Sequence, residues 1–387
     1  MMTSLGGPVA ACSAVPNRPG RRPRYRPAPR TRSWPRVGSC HRPTIKTRYR
    51  GFLYQWDRDQ ALTQDRCFLC GASLAGGRTD EHVFPQWLLR RCDLWNDKIT
   101  LLNDTLMPYK QMKIPCCSTC NNEHLSRIEQ AVGDAFAEGP EAVAALDATT
   151  LFLWMGKIYY GLMFRELSLL ADRRDPQGGS IISPEFLTTF RMHHLLLQAA
   201  RGAVRRHKDQ HPASVFVFQT QEPTDPRDRF DYVDIINFPF FAIRVGTTAV
   251  VAVLQDWGSL AQAVTVPALE AARQLVLHPQ QFREVAALVA YMTTLFNRVP
   301  KHLLHASENH VDVVTLPLQG MPTKFVFDPF DIGDYAQVLS HVTGQPLKEL
   351  YDGNNVVTLL RDRDGQPWVV PWPADQRQYP DIRLMQR

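Results

Sequence analysis

The chain has 387 residues, enough for two or more globular domains that each bury a core without disulfide help. Its 44% hydrophobic and 21% charged residues are those of an ordinary folded protein, which excludes wholesale disorder and a fibrous repeat. The formal net charge of +6 is unevenly held, because residues 1–50 carry eleven Arg, one Lys and no acid, which leaves −6 on residues 51–387. A mildly acidic body has no global positive field to steer a polyanion, so any attraction to nucleic acid must come from the arm or from a local cleft.

Along the chain, residues 1–48 alternate Pro and Arg and read as a disordered basic arm. The start lacks the compact apolar core of a secretory signal, and a reducing, cytoplasmic compartment is expected. Residues 49–130 form a first module, opened by Phe52, Leu53, Tyr54 and Trp56 and closed by a helix starting near Asn121. Helical periodicity then covers 129–138, 148–173 and 184–208, the last opened by Ser183 as cap with Pro184 and Glu185 in the first turn. The apolar run from Leu151 to Phe164 is interrupted by Lys157 and is too short to cross a bilayer, so a core helix is expected and no membrane partner.

The signal changes to strand between 214 and 255, with runs at 215–218, 238–245 and 249–254, the last two joined as a hairpin through Gly246-Thr247-Thr248. A helix over 279–298, a strand over 311–316, a helix over 331–343 and a hairpin turning at Asp364-Gly365, between 356–360 and 368–370, complete the reading. The fold class is α+β without internal repeats, and residues 131–387 form a larger α+β domain of unassigned role.

The chemistry concentrates in the first module. Cys67 and Cys70 make one CxxC knuckle and Cys117 and Cys120 a second, the spacing at which two pairs grip one tetrahedral ion, with Gly71 relieving the turn. In a reducing compartment such pairs favour structural Zn2+ over disulfides. Cys116 breaks the CxxC spacing and reads as a packed thiol. Between the knuckles runs Thr79-Asp80-Glu81-His82-Val83-Phe84-Pro85-Gln86-Trp87-Leu88, and Asn121-Asn122 follows the second knuckle directly. An acid beside a histidine sets a hard oxygen ligand next to a general base, and an amide after the last cysteine is held at a helix start near both.

This combination resembles the HNH, or ββα-metal, nuclease family: CxxC, an acidic-His pair followed by an apolar residue and Pro, then CxxC-Asn leading into a helix. The resemblance covers about 80 residues and implies a treble-clef zinc module followed by the larger α+β domain. It further implies that Glu81 and Asn121 hold a catalytic Mg2+ or Mn2+, that His82 is the general base on the attacking water, and that Asn103 or Asn96 orients the histidine. The expected partner is nucleic acid, DNA before RNA, and the expected activity is endonucleolytic hydrolysis of its phosphodiester bonds. Arg90, Arg91, Lys110, Lys113 and Arg127 are the cations expected on flanking phosphates. Two features depart from the family pattern: the acid is Glu81 where Asp is usual, and the loop between His82 and Cys117 is long. The alternative is a non-catalytic, zinc-stapled nucleic-acid-binding or interaction protein.

Other residues carry blander readings. His193 and His194 are consecutive, so a helix points them apart and they belong to core or surface. His124, close to Asn121, reads as a solvent-facing helix residue ahead of the alternative, a further ligand. The stripe Phe152, Trp154, Tyr159, Tyr160 and Phe164 is interhelical packing. Lys157 and Arg165 either bond buried carboxylates such as Glu166 or reach substrate. No phosphate-cradling Gly-rich loop and no GxSxG elbow is present.

Overall fold

A computed structural model describes residues 53–55, 63–207, 209–263, 266–316, 318, 325–362 and 364–370. The basic arm, Cys12, Cys40, Phe52 and Trp56 lie outside them. The chain is a mixed α+β structure. Its strands in chain order are β1 (Arg78–His82), β2 (Lys98–Thr100), β3 (Leu106–Pro108), β4 (Lys113–Cys117), β5 (Val204–Arg206), β6 (Ser214–Gln219), β7 (Phe230–Ile235), β8 (Phe240–Val245), β9 (Thr248–Val253), β10 (Lys301–Ala306) and β11 (Val311–Leu316). The helices that organise it are α1 (Gln86–Arg91), α2 (Ser126–Glu138), α3 (Ala148–Leu167), α4 (Arg191–Leu197), α5 (Pro279–Thr294) and α6 (Ile332–Thr343).

The centre is an antiparallel sheet in the order β6-β9-β8-β7. Every residue of β7, β8 and β9 is buried, because the alternating side chains serve a core on each face. One core takes Tyr232, Phe241, Ile243 and Val250 together with α3, the knuckles and the segment around β1 and β4. The other takes Val233, Phe240, Ala242 and Val251 together with α5 and α6. The result is three layers, and the first core runs from Leu53 to Val313, straight across the boundary expected near residue 130. The first module therefore shares its apolar interior with α3 and the sheet. No helix among the described residues is long and apolar enough to cross a membrane.

Several expected elements are shifted. The helix over 148–173 ends at Leu167, where Ser168 Oγ donates to Arg165 O at 2.7 Å and turns the chain. The expected helix over 184–208 is capped as read, Ser183 Oγ accepting from Phe186 N at 3.1 Å, but stops at Thr188. Thr188 and Thr189 donate their hydroxyls to Pro184 O and Phe186 O, a side-chain competition that bends helices. The chain resumes as α4, turns at Gly202 with φ +74° and becomes β5, parallel to β11. β7 escaped sequence reading because Asp231 and Asp234 interrupt its apolar pattern; Asp231 is buried against Arg283, Nε to Oδ2 2.7 Å. β10 escaped it as a polar edge strand. The hairpin expected around Asp364-Gly365 reduces to a single bridge, Arg361 to Pro367. Side chains of α5 satisfy that backbone instead: Gln281 Nε2 donates to Leu359 O and Trp368 O, both at 2.7 Å, and Leu359 N donates to Glu284 Oε2 at 2.6 Å.

Candidate functional site

The first knuckle is a tight turn in which Gly71 has φ +72° and lies against the Tyr54 ring, where a Cβ would come within 2.3 Å of Tyr54 Cδ2. Only glycine fits both the dihedral and the space. The second knuckle follows from β4, which pairs antiparallel with β1 so that Arg78 lies opposite Cys117 and Glu81 opposite Ile114. That pairing folds the two knuckles together, and the ligand atoms of Cys67, Cys70, Cys117 and Cys120 all lie within 4.8 Å of one another. The Cys70–Cys117 Sγ separation is 3.7 Å, and two thiolates bound tetrahedrally at a Zn–S length of about 2.3 Å would stand roughly 3.8 Å apart.

The electrostatics of the cluster ask for a cation. Thiol donors from Cys116, Cys120 and Cys70 hold Cys67 far below the usual thiol range, while their bonds to neighbouring thiols and burial push Cys70 and Cys120 far above it. A bound divalent ion would stabilise the deprotonated form of each thiol it binds. These residues could thus hold a metal ion, and the all-sulfur set suits zinc. Cys116 is fully buried with its Sγ 3.8 Å from Cys67 Sγ, packed against the cluster as the spacing suggested.

A cavity of about 290 Å³ opens beside the cluster, and Glu81, His82 and Asn121 all line it, with Asp80, Trp87 and Glu129. Thr79 and Glu81 share one face of β1, as alternate residues of a strand must. Thr79 Oγ1 donates to Cys116 O at 2.9 Å and accepts from Asn121 Nδ2 at 3.1 Å, which fixes the amide at the head of the helix. Residues Cys120–Leu125 form a π-helical turn that leads into α2.

Glu81 is 5% exposed and is met by Lys157 from α3. Lys157 Nζ lies 2.7 Å from Glu81 Oε1 and 2.6 Å from Glu129 Oε1, and it donates to the carbonyls of His82 and Val83 at 2.9 and 3.1 Å. Of the two roles left open for Lys157 in the sequence, the buried-carboxylate one holds, with Glu81 and Glu129 as the acids; Glu166 instead accepts from Leu102 N at 3.1 Å. Burial pushes the Glu81 carboxyl up to about 7, against the pull of Lys157 and with the help of the Glu129 charge. The two acids keep Lys157 charged despite complete burial. One ammonium between two carboxylates leaves the pocket a net acid.

His82 is 8% exposed, and its Nε2 has no hydrogen-bond partner among the described residues. Burial, then the charges of Lys113 and Lys157, lower it to about 4, so the imidazole is neutral at pH 7 and free to accept a proton. Its ring packs on Trp95 with centroids 5.7 Å apart, and Arg90 Cζ lies over the same indole, 5.7 Å from its centroid.

Neither asparagine considered for orienting the histidine reaches the cavity. Asn103 Nδ2 donates to Leu170 O and Ala171 O, and Asn96 Oδ1 accepts from Lys110 Nζ at 2.7 Å. Trp95 and the Lys157 bond to the His82 carbonyl hold the histidine in place of an amide. Of the expected phosphate contacts, Arg90, Arg91 and Arg127 are exposed and Lys110 and Lys113 half-buried; none lines the cavity.

Glu129 was not singled out from the sequence. It stands eight residues past Asn121, and in an uninterrupted α-helix that spacing leaves two residues roughly 80° apart. The wider π turn takes up part of that angle and brings both to the cavity. His193 and His194 are core residues: His193 Nε2 bonds Gly156 O at 3.0 Å and His194 Nε2 bonds Phe68 O at 2.7 Å, tying α4 to α3 and to the first knuckle.

No family model, no curated protein and no solved structure matches this chain.

Proposed function

We propose that the chain is a metal-dependent endonuclease of the HNH type, hydrolysing phosphodiester bonds of nucleic acid, with DNA the first substrate to test. The observation that carries the reading is the convergence of Glu81, His82 and Asn121 on one cavity beside a four-cysteine cluster. In this reading β1, β4 and α2 are the ββα-metal finger, and zinc on the cysteines is its treble-clef staple. The donor set of the cavity, carboxylate and amide oxygens without sulfur, suits a hard cation such as Mg2+ or Mn2+.

When bound, such an ion would supply Lewis-acid stabilisation of the negative charge that develops on the phosphate and the leaving group. The chain's own residues supply the rest. Glu81 and Asn121 would hold the ion, while Thr79 keeps the amide in place and Lys157 keeps the carboxylate aimed. His82, neutral at pH 7, takes a proton from water attacking in line, and the buried position of Nε2 keeps it from bulk solvent. Arg90, Arg91, Lys110, Lys113 and Arg127 lie outside the cavity, where flanking phosphates would run.

The test is nicking of a supercoiled plasmid by the full-length, zinc-loaded protein across several divalent ions, beside His82→Ala. Mn2+- or Mg2+-dependent nicking that falls at least 100-fold in the variant, at unchanged zinc content, is expected from loss of a general base. Undiminished nicking by His82→Ala removes the assigned base. The second reading, a zinc-stapled interaction protein, draws on the engagement of Glu81 by Lys157; it gains if no ion supports cleavage while nucleic acid is still bound tightly.

A further inference from the structure

We infer that Glu129 is a second carboxylate ligand of the divalent ion at this site, presented to it by the Lys157 clamp. The inference rests on the nuclease reading above and adds to it a ligand drawn from two turns down the helix. Three independent observations point the same way. The carboxyls of Glu81 and Glu129 each meet Lys157 Nζ, at 2.7 and 2.6 Å, so their oxygens already stand as neighbours around a positive centre.

The π turn brings Glu129 to the same cavity as Asn121, and insertions of this kind are common at functional sites. Finally, the Nε2 of His82, on a residue more than nine-tenths buried and lining that cavity, has no partner among the described residues. An unbonded basic nitrogen on a residue that lines the same cavity is the arrangement expected where a water on a cation completes the site.

The chemistry of the set is consistent with one hard ion. Two carboxylates and one amide give three protein oxygens, and Mg2+ and Mn2+ sites commonly leave the remaining positions to water and phosphate. Lys157 bonds only one oxygen of each acid, which leaves Oε2 of both for an ion. With both carboxylates ionised, as ion binding would require, the donor set and the ammonium sum to −1, and with the ion to +1, the sign that suits a phosphodiester. A single carboxylate under the same ammonium would bind the ion far more weakly. The clamp therefore needs the second acid.

The test is titration of full-length, zinc-loaded protein with Mn2+, free ion being read by electron paramagnetic resonance and zinc content being checked on the same samples. Wild type is expected to hold one Mn2+ beyond the zinc. Glu129→Gln is expected to raise the dissociation constant roughly tenfold or more, in the range of Glu81→Gln. Glu123→Gln, which removes an exposed acid from the same helix start, is expected to leave it unchanged. Should Glu129→Gln fail to fold, Glu129→Asp withdraws the carboxylate by one methylene and is expected to weaken Mn2+ several-fold. Wild-type affinity in the Glu129 variants alongside weak binding by Glu81→Gln overturns this inference and leaves the nuclease reading standing. Absence of any such Mn2+ in wild type overturns both.

Discussion

Lys157 is the side chain on which the pocket turns, and its sequence context gave only half of its meaning. A lysine inside an apolar helix must either escape to solvent or find acids, but which acids depends on a fold that sets α3 beneath β1. Its removal leaves two carboxylates buried without a counter-charge, a change that typically costs about 3–5 kcal/mol. Lys157→Met is accordingly expected to lose stability of that order in urea unfolding at pH 7, and to recover part of it on acidification as Glu81, already pushed up to about 7, takes a proton. A loss under about 1 kcal/mol would mean that the clamp is loose in solution. The convergence of the candidate trio was legible: the Glu81-His82 pair and the Asn121 after the knuckle are local in sequence, and the β1–β4 pairing brings them to one cavity. The placement of Asn96 and Asn103 was not. Asn96 and Asn103 belong to loops whose direction is set by distant partners, Lys110 and the carbonyls after α3.

At the scale of elements, periodicity located what had an amphipathic or alternating pattern and lost what did not. The β8–β9 hairpin, α5 and α6 lie close to where their patterns put them; Asp331 caps α6 by accepting from Asp334 N at 2.8 Å. β7 was hidden by buried aspartates with tertiary partners, and the break before α4 by threonines that bond their own helix. α4 carries a consequence for pH. His193 and His194 are fully buried, and desolvation lowers each to about 4 from the ordinary 6.5. The unfolded chain therefore binds protons that the folded chain refuses as pH drops below 6.5, and stability present at neutral pH is lost between 6.5 and about 4. By pH 5 the loss is expected to be about 2 kcal/mol for each histidine. Thermal melts at pH 7 and 5 should show it, and His193→Gln should flatten the difference; an unchanged midpoint between the two pH values would show that these rings are protonated within the fold.

At the scale of the molecule, the sequence marked a separate first module over residues 49–130, yet its apolar interior is continuous with α3, α4 and the sheet. That continuity is invisible to motif reading, because it depends on long-range contacts such as Phe68 O with His194 and the backbone of Tyr54 with the Gln198 amide. A fragment ending at Glu138 is therefore expected to remain unfolded by circular dichroism even with zinc. A cooperatively melting fragment would restore the picture of an independent finger. For the whole chain, one zinc per molecule is expected, and a strong chelator should lower the thermal midpoint of α4 and the knuckles together. The most direct test of the central claim is manganese anomalous diffraction from crystals of the full chain grown with Mn2+. One peak is expected in the cavity within ligand distance of Glu81 and Asn121, apart from the zinc peak among the four cysteines. A cavity without manganese, with Lys157 still closed on both carboxylates, would contradict it.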